Sequence, residues 1–326
     1  GGLMQGRSPY FPHTFGSPHE HSNTGIYDQM WECLRIANNC LEKLESGILV
    51  NATQTQKDWL EGQARFFRAY WHYEYLRSFG TIPYIDLVIP SALQLEYMKR
   101  HWSYEKDGKT YHDTQAALER IVEDMEAAAA LLPAVYPNPD INWGRPTKFA
   151  ALGYKAKALQ YSASPLMNYQ SNGIDAYDNE MLARTVTACQ DVIDLAKSLI
   201  GQEPEGMPVV NADGLTSWED IRTMFCTFSG RVQPGTMEVL WKRPCNGYGN
   251  VNIRQTAGRV YGEKTITNQQ GAQATCQYVD KFEMADGTLY KPVYDFDSTK
   301  RWVGRDPRFD LNFYVHGDSA GNLPLN

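Results

Sequence analysis

The sequence predicts a mainly α protein. Stacked helical hairpins span residues 26–199, and a large loop-rich part of the same domain, residues 1–25 and 200–326, carries short strands. Two observations predict it. Between 26 and 199, apolar residues return at steps of three and four, the period of an amphipathic helix, and capping residues, glycine or proline mark the ends. Past residue 200, glycine, proline, asparagine and aromatics rise, and the helical period survives only in Trp218 to Phe228. At 326 residues the chain is long enough for one large domain or two ordinary ones.

The first helix is read from Met30, Leu34, Ala37, Leu41 and Leu44, one apolar stripe that stops at Gly47, since glycine tolerates the left-handed conformation that ends helices. The second starts at the capping box Thr53-Gln54-Thr55-Gln56 and runs to Gly80, with Pro83 beyond it. Its main stripe is Leu60, Ala64, Phe67, Trp71 and Tyr75, widened by Phe66, Tyr70 and Leu76; a helix apolar so far around is buried on more than one side. A third, near 112–132, carries Leu118, Ile121, Val122, Met125 and Leu132 and closes at Pro133. A fourth, about 146–164, places Pro146 in its first turn and stops at Pro165. Its small residues Ala150, Ala151, Gly153, Ala156, Ala158 and Ala163 allow close approach of neighbours. A fifth, about 178–199, sets Leu182, Val186, Cys189, Ile193 and Ala196 on one face. No strand is evident between these five. Beyond them, strand-like pieces lie at Glu238 to Trp241 and Leu311 to Val315.

A net charge of −7 argues against nucleic acid, whose phosphates require clustered basic surface. No apolar run approaches the roughly 18 residues that span a bilayer; the longest, Ala127 to Tyr136, is interrupted by Pro133. Gly1-Gly2-Leu3-Met4 has neither the basic start nor the apolar stretch of a signal peptide. Cys33, Cys40, Cys189, Cys226, Cys245 and Cys276 form no C-x-x-C pair, so the common zinc and redox spacings are absent. On one helix, Cys33 and Cys40 stand about 10 Å apart along the axis, too far to bridge. The cysteines are read mostly as small buried hydrophobes, with room for one bridge that spacing does not reveal. The unusual feature is aromatic: 20 tyrosines, 12 phenylalanines and 8 tryptophans make up 12% of the chain.

Several segments together resemble the SusD/RagB family of surface glycan-binding lipoproteins from Bacteroidetes nutrient-uptake systems. Gly62-Gln63-Ala64-Arg65-Phe66-Phe67-Arg68-Ala69-Tyr70-Trp71-His72-Tyr73-Glu74-Tyr75-Leu76-Arg77-Ser78-Phe79-Gly80-Thr81-Ile82-Pro83-Tyr84-Ile85 looks like the family's signature helix. Gly144-Arg145-Pro146-Thr147-Lys148-Phe149-Ala150-Ala151-Leu152, continuing to Tyr161-Ser162-Ala163-Ser164-Pro165, is similar to a second signature. Glu238 to Trp241, Tyr278 to Gly287 and Arg305-Asp306-Pro307-Arg308-Phe309 match later blocks in the right order. The family's lipid-bearing amino-terminal cysteine and its carboxy-terminal helical block are missing, so the chain is taken as the middle of a longer protein, truncated or cleaved at both ends. The resemblance implies tetratricopeptide-like (TPR-like) hairpins and a non-catalytic role at the surface of the cell outer membrane. It further implies oligosaccharide or polysaccharide as ligand and a SusC-like TonB-dependent transporter as partner. Membrane attachment would run only through an N-terminal lipid anchor outside this chain, and neither cofactor nor metal is implied.

A pyranose offers an apolar C–H face that packs on an aromatic ring and hydroxyls that need oriented polar partners. Two loop segments supply both. One holds Tyr10, Phe11, His13 and Phe15; the other holds Asn246, Tyr248, Asn252, Arg254, Arg259 and Tyr261. The resemblance implies that binding residues come from these two regions but fixes none individually. Phe67, Trp71 and Tyr75, by contrast, are read as core. Two alternatives stay open: a peptide-binding relative of the same family, and a helical-repeat interaction scaffold without a small ligand.

Other motifs fail on mechanism. Gly317-Asp318-Ser319-Ala320-Gly321 fits the G-x-S-x-G elbow, but such an elbow opens a helix and is followed by an acid and a histidine. Here only Asn322-Leu323-Pro324-Leu325-Asn326 follow. His19-Glu20-His21 lacks the H-E-x-x-H spacing, and Gly258 to Thr265 resembles a phosphate loop but is one residue short between its glycines. Asp295, Asp297 and Asp306 lack the glycine and terminal glutamate of a calcium loop.

Overall fold

The computed structural model describes residues 4–5, 26–80, 83–95, 103–138, 141–142, 144–199, 240–241, 273–274, 276–291, 302–313, 319–320 and 323–324. The chain divides into two compact units. One comprises His21–Ala212 with Gly235–Pro244; the other comprises Gly1–Glu20, Asp213–Pro234 and Cys245–Asn326.

The first unit is a row of antiparallel helices. Helix α1, Ile26–Glu45, buries Met30, Leu34, Ala37 and Leu41, and Gly47 follows at φ 71°. Helix α2, Gln54–Phe79, opens on the predicted capping box: Thr53 Oγ1 accepts from the Gln56 amide and Gln56 Oε1 from the Thr53 amide, at 3.3 and 2.9 Å. Gly80 ends it at φ 89°. Helix α3, Asp113–Leu131, buries Leu118, Ile121, Val122 and Met125, and Leu132 after it. Helix α4 is Lys148–Ser162, α5 Pro165–Asn172 and α6 Asn179–Ser198. The long helices pack in chain order, α1 on α2, α2 on α3, α3 on α4 and α4 on α6. Side chains set the directions. Gly62, early in α2, lies against Leu131 and Leu132 at the end of α3, where a Cβ would meet Leu132 Cγ at 2.8 Å. Gln115, early in α3, reaches the Ser162 carbonyl at the end of α4.

Four details correct the sequence reading. The buried face of α2 is Phe66, Ala69, Tyr73 and Leu76 with Tyr75, whereas Leu60 is 39% exposed and Phe67 and Trp71 are only partly buried. The helix is turned because Arg68 and His72 find polar partners inside. Thr147 is the N-cap of α4, so Pro146 precedes the helix, and Pro165 does not simply stop α4. Ser164 caps a new helix, α5, with Pro165 in its first turn. On α6 the buried positions are Met181 and Ala188. Although Leu182 packs against the core, much of the predicted face points outward, with Val186 69% and Ile193 45% exposed and Cys189 exposed, so Cys189 is not a buried hydrophobe. Cys33, Cys40 and Cys189 are free thiols. Finally, a hairpin pairs Ser103–Lys106 with Lys109–His112. Its turn, Asp107 at φ 51° and Gly108 at φ 77°, is the two-residue Asp-Gly type whose twist suits paired strands.

Most of the core is one cluster shared by α2, α3, α4, α5 and α6. Trp241 packs against it: its ring lies 5.1 Å from Phe66 and 5.3 Å from Tyr70, edge-on, and its indole N–H donates to the Gly144 carbonyl at 3.0 Å. Leu240 and Trp241 are not in a strand.

The second unit brings two of the family-like blocks together. Met284 and Arg305 form an antiparallel bridge, and the Ala285 and Asp306 amides bond to the Gly304 and Glu283 carbonyls. Arg305 is buried, donates to the Val279 and Phe282 carbonyls at 2.7 and 2.8 Å, and lies 3.8 Å over the Tyr290 ring. Helices α7, Cys276–Val279, and α8, Pro307–Asn312, meet through Tyr278, Phe282, Phe309 and Phe313. Asp306 caps α8 and Pro307 opens it, so Leu311 and Asn312 are helical rather than strand. Met4–Gln5 pairs with Gln273–Ala274.

Candidate functional site

Tyr10, Phe11, His13, Phe15, Asn246, Tyr248, Asn252, Arg254, Arg259 and Tyr261 all lie outside the described residues, as do His19, Glu20 and His21. Of the rejected motifs, Ser319 and Ala320 pair antiparallel with Pro324 and Leu323. Ser319 therefore does not turn into a helix as an esterase elbow does. Asp306 is occupied as a helix cap, its carboxyl held down to about 2 by hydrogen bonds from Arg308. Among the described residues no group of three or more histidine, cysteine, aspartate or glutamate side chains could hold a metal, and no helix is long and apolar enough to cross a membrane.

An assembled polar centre lies at the signature-like helix. Arg68 of α2 grips Asp124 of α3 with two bonds, Nε to Oδ2 at 2.6 Å and Nη2 to Oδ1 at 2.7 Å. Its Nη1 reaches Asn38 Oδ1 on α1 at 3.0 Å and the Asp86 carbonyl at 3.2 Å. Arg65 adds a third contact to Asp124, and Tyr84 donates its hydroxyl to the same carboxylate. Burial and the Asp124 charge push the Tyr84 phenol well above its ordinary range. A buried charge is tolerated only when paired and hydrogen-bonded, and here the partners are drawn from α1, α2, α3 and residues 83–89.

The same groups strap residues 83–89 onto the helices. The Ile85 amide donates to His72 Nε2 at 2.8 Å, so Nδ1 carries the ring proton, which it donates to the Arg68 carbonyl at 2.7 Å. Burial lowers the His72 pKa to about 4, so the ring is neutral. Asn38 donates to the Ile85 and Leu87 carbonyls, both at 3.1 Å, and Arg120 bonds Asp86 at 2.8 Å. Beside the strap lies a half-open cleft of about 360 Å³, lined by Trp31, Leu34, Arg35, Asn38, Ile85, Leu87, Val88, Ile89 and Gln94. The sequence reading missed it. Its signal was Trp31 and Arg35, one helical turn apart beside the α1 stripe, but the opposite wall comes from residues some fifty positions later.

Comparison with known proteins adds independent information. Residues 14–159 match a family model described as starch-binding, associating with outer membrane. A SusD-like protein P2 from Formosa agariphila is 26% identical over 143 residues, a match covering 44% of this chain and 24% of that relative. Among solved structures, a SusD-like protein from Bacteroides fragilis superposes with a TM-score of 0.59 at 20% identity, covering 90% of this chain and 50% of that one. A SusD-like carbohydrate-binding protein from the same species gives 0.57 at 17% identity, with 90% and 47% covered. The chain thus spans about a quarter of that curated relative and about half of these structures. The family model, the relative and the shared fold together support the SusD-like family, as the sequence blocks imply.

Proposed function

We propose that this chain belongs to a non-catalytic binding protein of the outer-membrane surface, which captures an oligosaccharide or polysaccharide and delivers it to a SusC-like TonB-dependent transporter. The observation that carries the reading is the match of residues 14–159 to a starch-binding, outer-membrane-associated family. A relative of the same fold, described as carbohydrate-binding, supports it. In this reading the described helices are the scaffold, because their aromatic side chains are largely committed to packing. Phe66, Tyr70, Tyr154 and Trp241 pack on one another, mostly edge-on with Phe66 and Tyr70 parallel, rather than presenting open faces. The sugar-stacking rings are then those of the loops, Tyr10, Phe11, Phe15, Tyr248 and Tyr261, with His13, Asn246, Asn252, Arg254 and Arg259 as hydrogen-bonding partners. Binding is moderate in strength, because sugar hydroxyls give up water bonds nearly as good as those they gain, and release into a transporter needs no chemistry.

Calorimetry against a panel of soluble polysaccharides tests the proposal. One class of glycan is expected to bind, and Tyr248→Ala with Tyr261→Ala to weaken it roughly tenfold or more, since aromatic platforms carry most of the contact area. A panel with no binder, or full affinity in the double variant, overturns the reading or its site.

A further inference from the structure

We propose that the cleft beside the strap is a docking site for an extended protein segment with aliphatic side chains and an acidic residue, separate from any glycan site. The inference does not depend on the glycan reading. Its lining is mostly aliphatic: Leu34 and Ile85 are buried at its base, and Leu87, Val88 and Ile89 form one wall against Trp31. The polar side chains deepest in the cleft are already engaged. Both hydrogens of the Asn38 amide go to strap carbonyls and its oxygen to Arg68, while His72 takes the Ile85 amide. A sugar placed here would find polar partners only at Arg35, Gln94 and the main chain of Val88 and Ile89, and its hydroxyls over the aliphatic base would lack one, which is costly. Aliphatic side chains face no such penalty, and about 360 Å³ is at the lower end of ligand-sized cavities.

Two further features select a peptide over a free apolar molecule. The backbone of Val88 and Ile89 has no hydrogen bond among the described residues, leaving main-chain groups beside the cleft for a second chain to pair with, as in strand addition. Arg35, exposed at the rim, has no ion pair among the described residues, whereas Arg65, Arg68, Arg77, Arg120 and Arg184 all have carboxylate partners. An acidic residue would complement it. Exposed leucines also follow the strap in the chain: Leu87 in the cleft wall is 40% exposed, and beyond it Leu93 is 47% and Leu95 77% exposed, where an isolated surface leucine would need no explanation.

The test uses the intact chain and a fluorescent, acetylated and amidated pentapeptide, Val-Leu-Glu-Val-Leu, with its Lys-centred analogue and two analogues N-methylated on alternate amides. The Glu peptide is expected to bind about fivefold more tightly than the Lys peptide, the size of one rim ion pair, and Arg35→Glu to invert that order. One N-methylated analogue is expected to lose binding, since methylation on the paired edge removes its donors, and the other to keep it. No saturable binding at millimolar peptide, an unchanged order in Arg35→Glu, equal binding of both methylated analogues, or displacement of the peptide by soluble glycan would each overturn the proposal. Glycan affinity unchanged in Arg35→Glu is the expected result, and separates a failure here from a failure of the glycan reading.

Discussion

Helix α3 meets α2 through buried charge beside apolar packing, and α4 mainly through small side chains. On the α2 side Asp124 is buried beneath Arg68 and Arg65, with Tyr84 and Asn38 completing the set. On the other side α4 supplies Ala150, Ala151, Ala156 and Ala158, all buried, and bonding is confined to the edges, as in Lys155 with Glu126 at 3.1 Å. The alanine seam tolerates little added volume, because interiors are close-packed. The charged seam tolerates little lost charge, because an abandoned partner stays buried. Shape specifies the α3–α4 interface, and the α2–α3 interface adds a stoichiometry of donors and acceptors to it.

The sharpest break of that contrast is Asp124→Ala, which strands Arg68. A loss of about 3–5 kcal/mol is expected in urea denaturation, and adding Arg68→Met should recover part of it; a single-variant loss below about 1 kcal/mol would show that the charged seam is not specified this way. Next comes pH. The His72 pKa is about 4 when folded against 6.5 ordinarily, so the unfolded chain binds the extra proton first. Its contribution is complete above pH 6.5 and is lost as pH falls towards 4, about 3 kcal/mol in all. Denaturation curves across that window should therefore slope less steeply in His72→Gln than in the parent. The smallest effect is expected at the alanine seam, where Ala158→Leu overpacks a fully buried position and costs about 1–3 kcal/mol. A neutral result there would mean that α4 has more room than its burial implies.

The contrast also explains what could be read in advance. Alanine spacing on α4 and the caps at Thr53, Gly47 and Gly80 are local signals, and the structure follows them. The tilt of α2 was illegible because Arg68 looks like a surface residue until Asp124, 56 positions away, is placed beside it. Helix α5 was lost because a proline after a serine ends one helix and begins the next with the same letters. The outward face of α6 shows the limit of periodicity: Val186 and Ile193 make a better stripe than Met181 and Ala188, but contact with α4 selects the latter. Hairpin 103–112 could have been read from Asp107-Gly108 between tyrosine-bearing segments. All ten residues of the proposed glycan site lie outside the described ones.

Trp241 bears on modularity. The compact helical unit takes in Gly235–Pro244 as well as the helices that end at Ser198, and this one indole closes over Phe66, Tyr70 and Tyr154. The unit is thus discontinuous along the chain. A fragment cut after its last long helix would lose its lid, and a faithful excision has to carry the later segment with it.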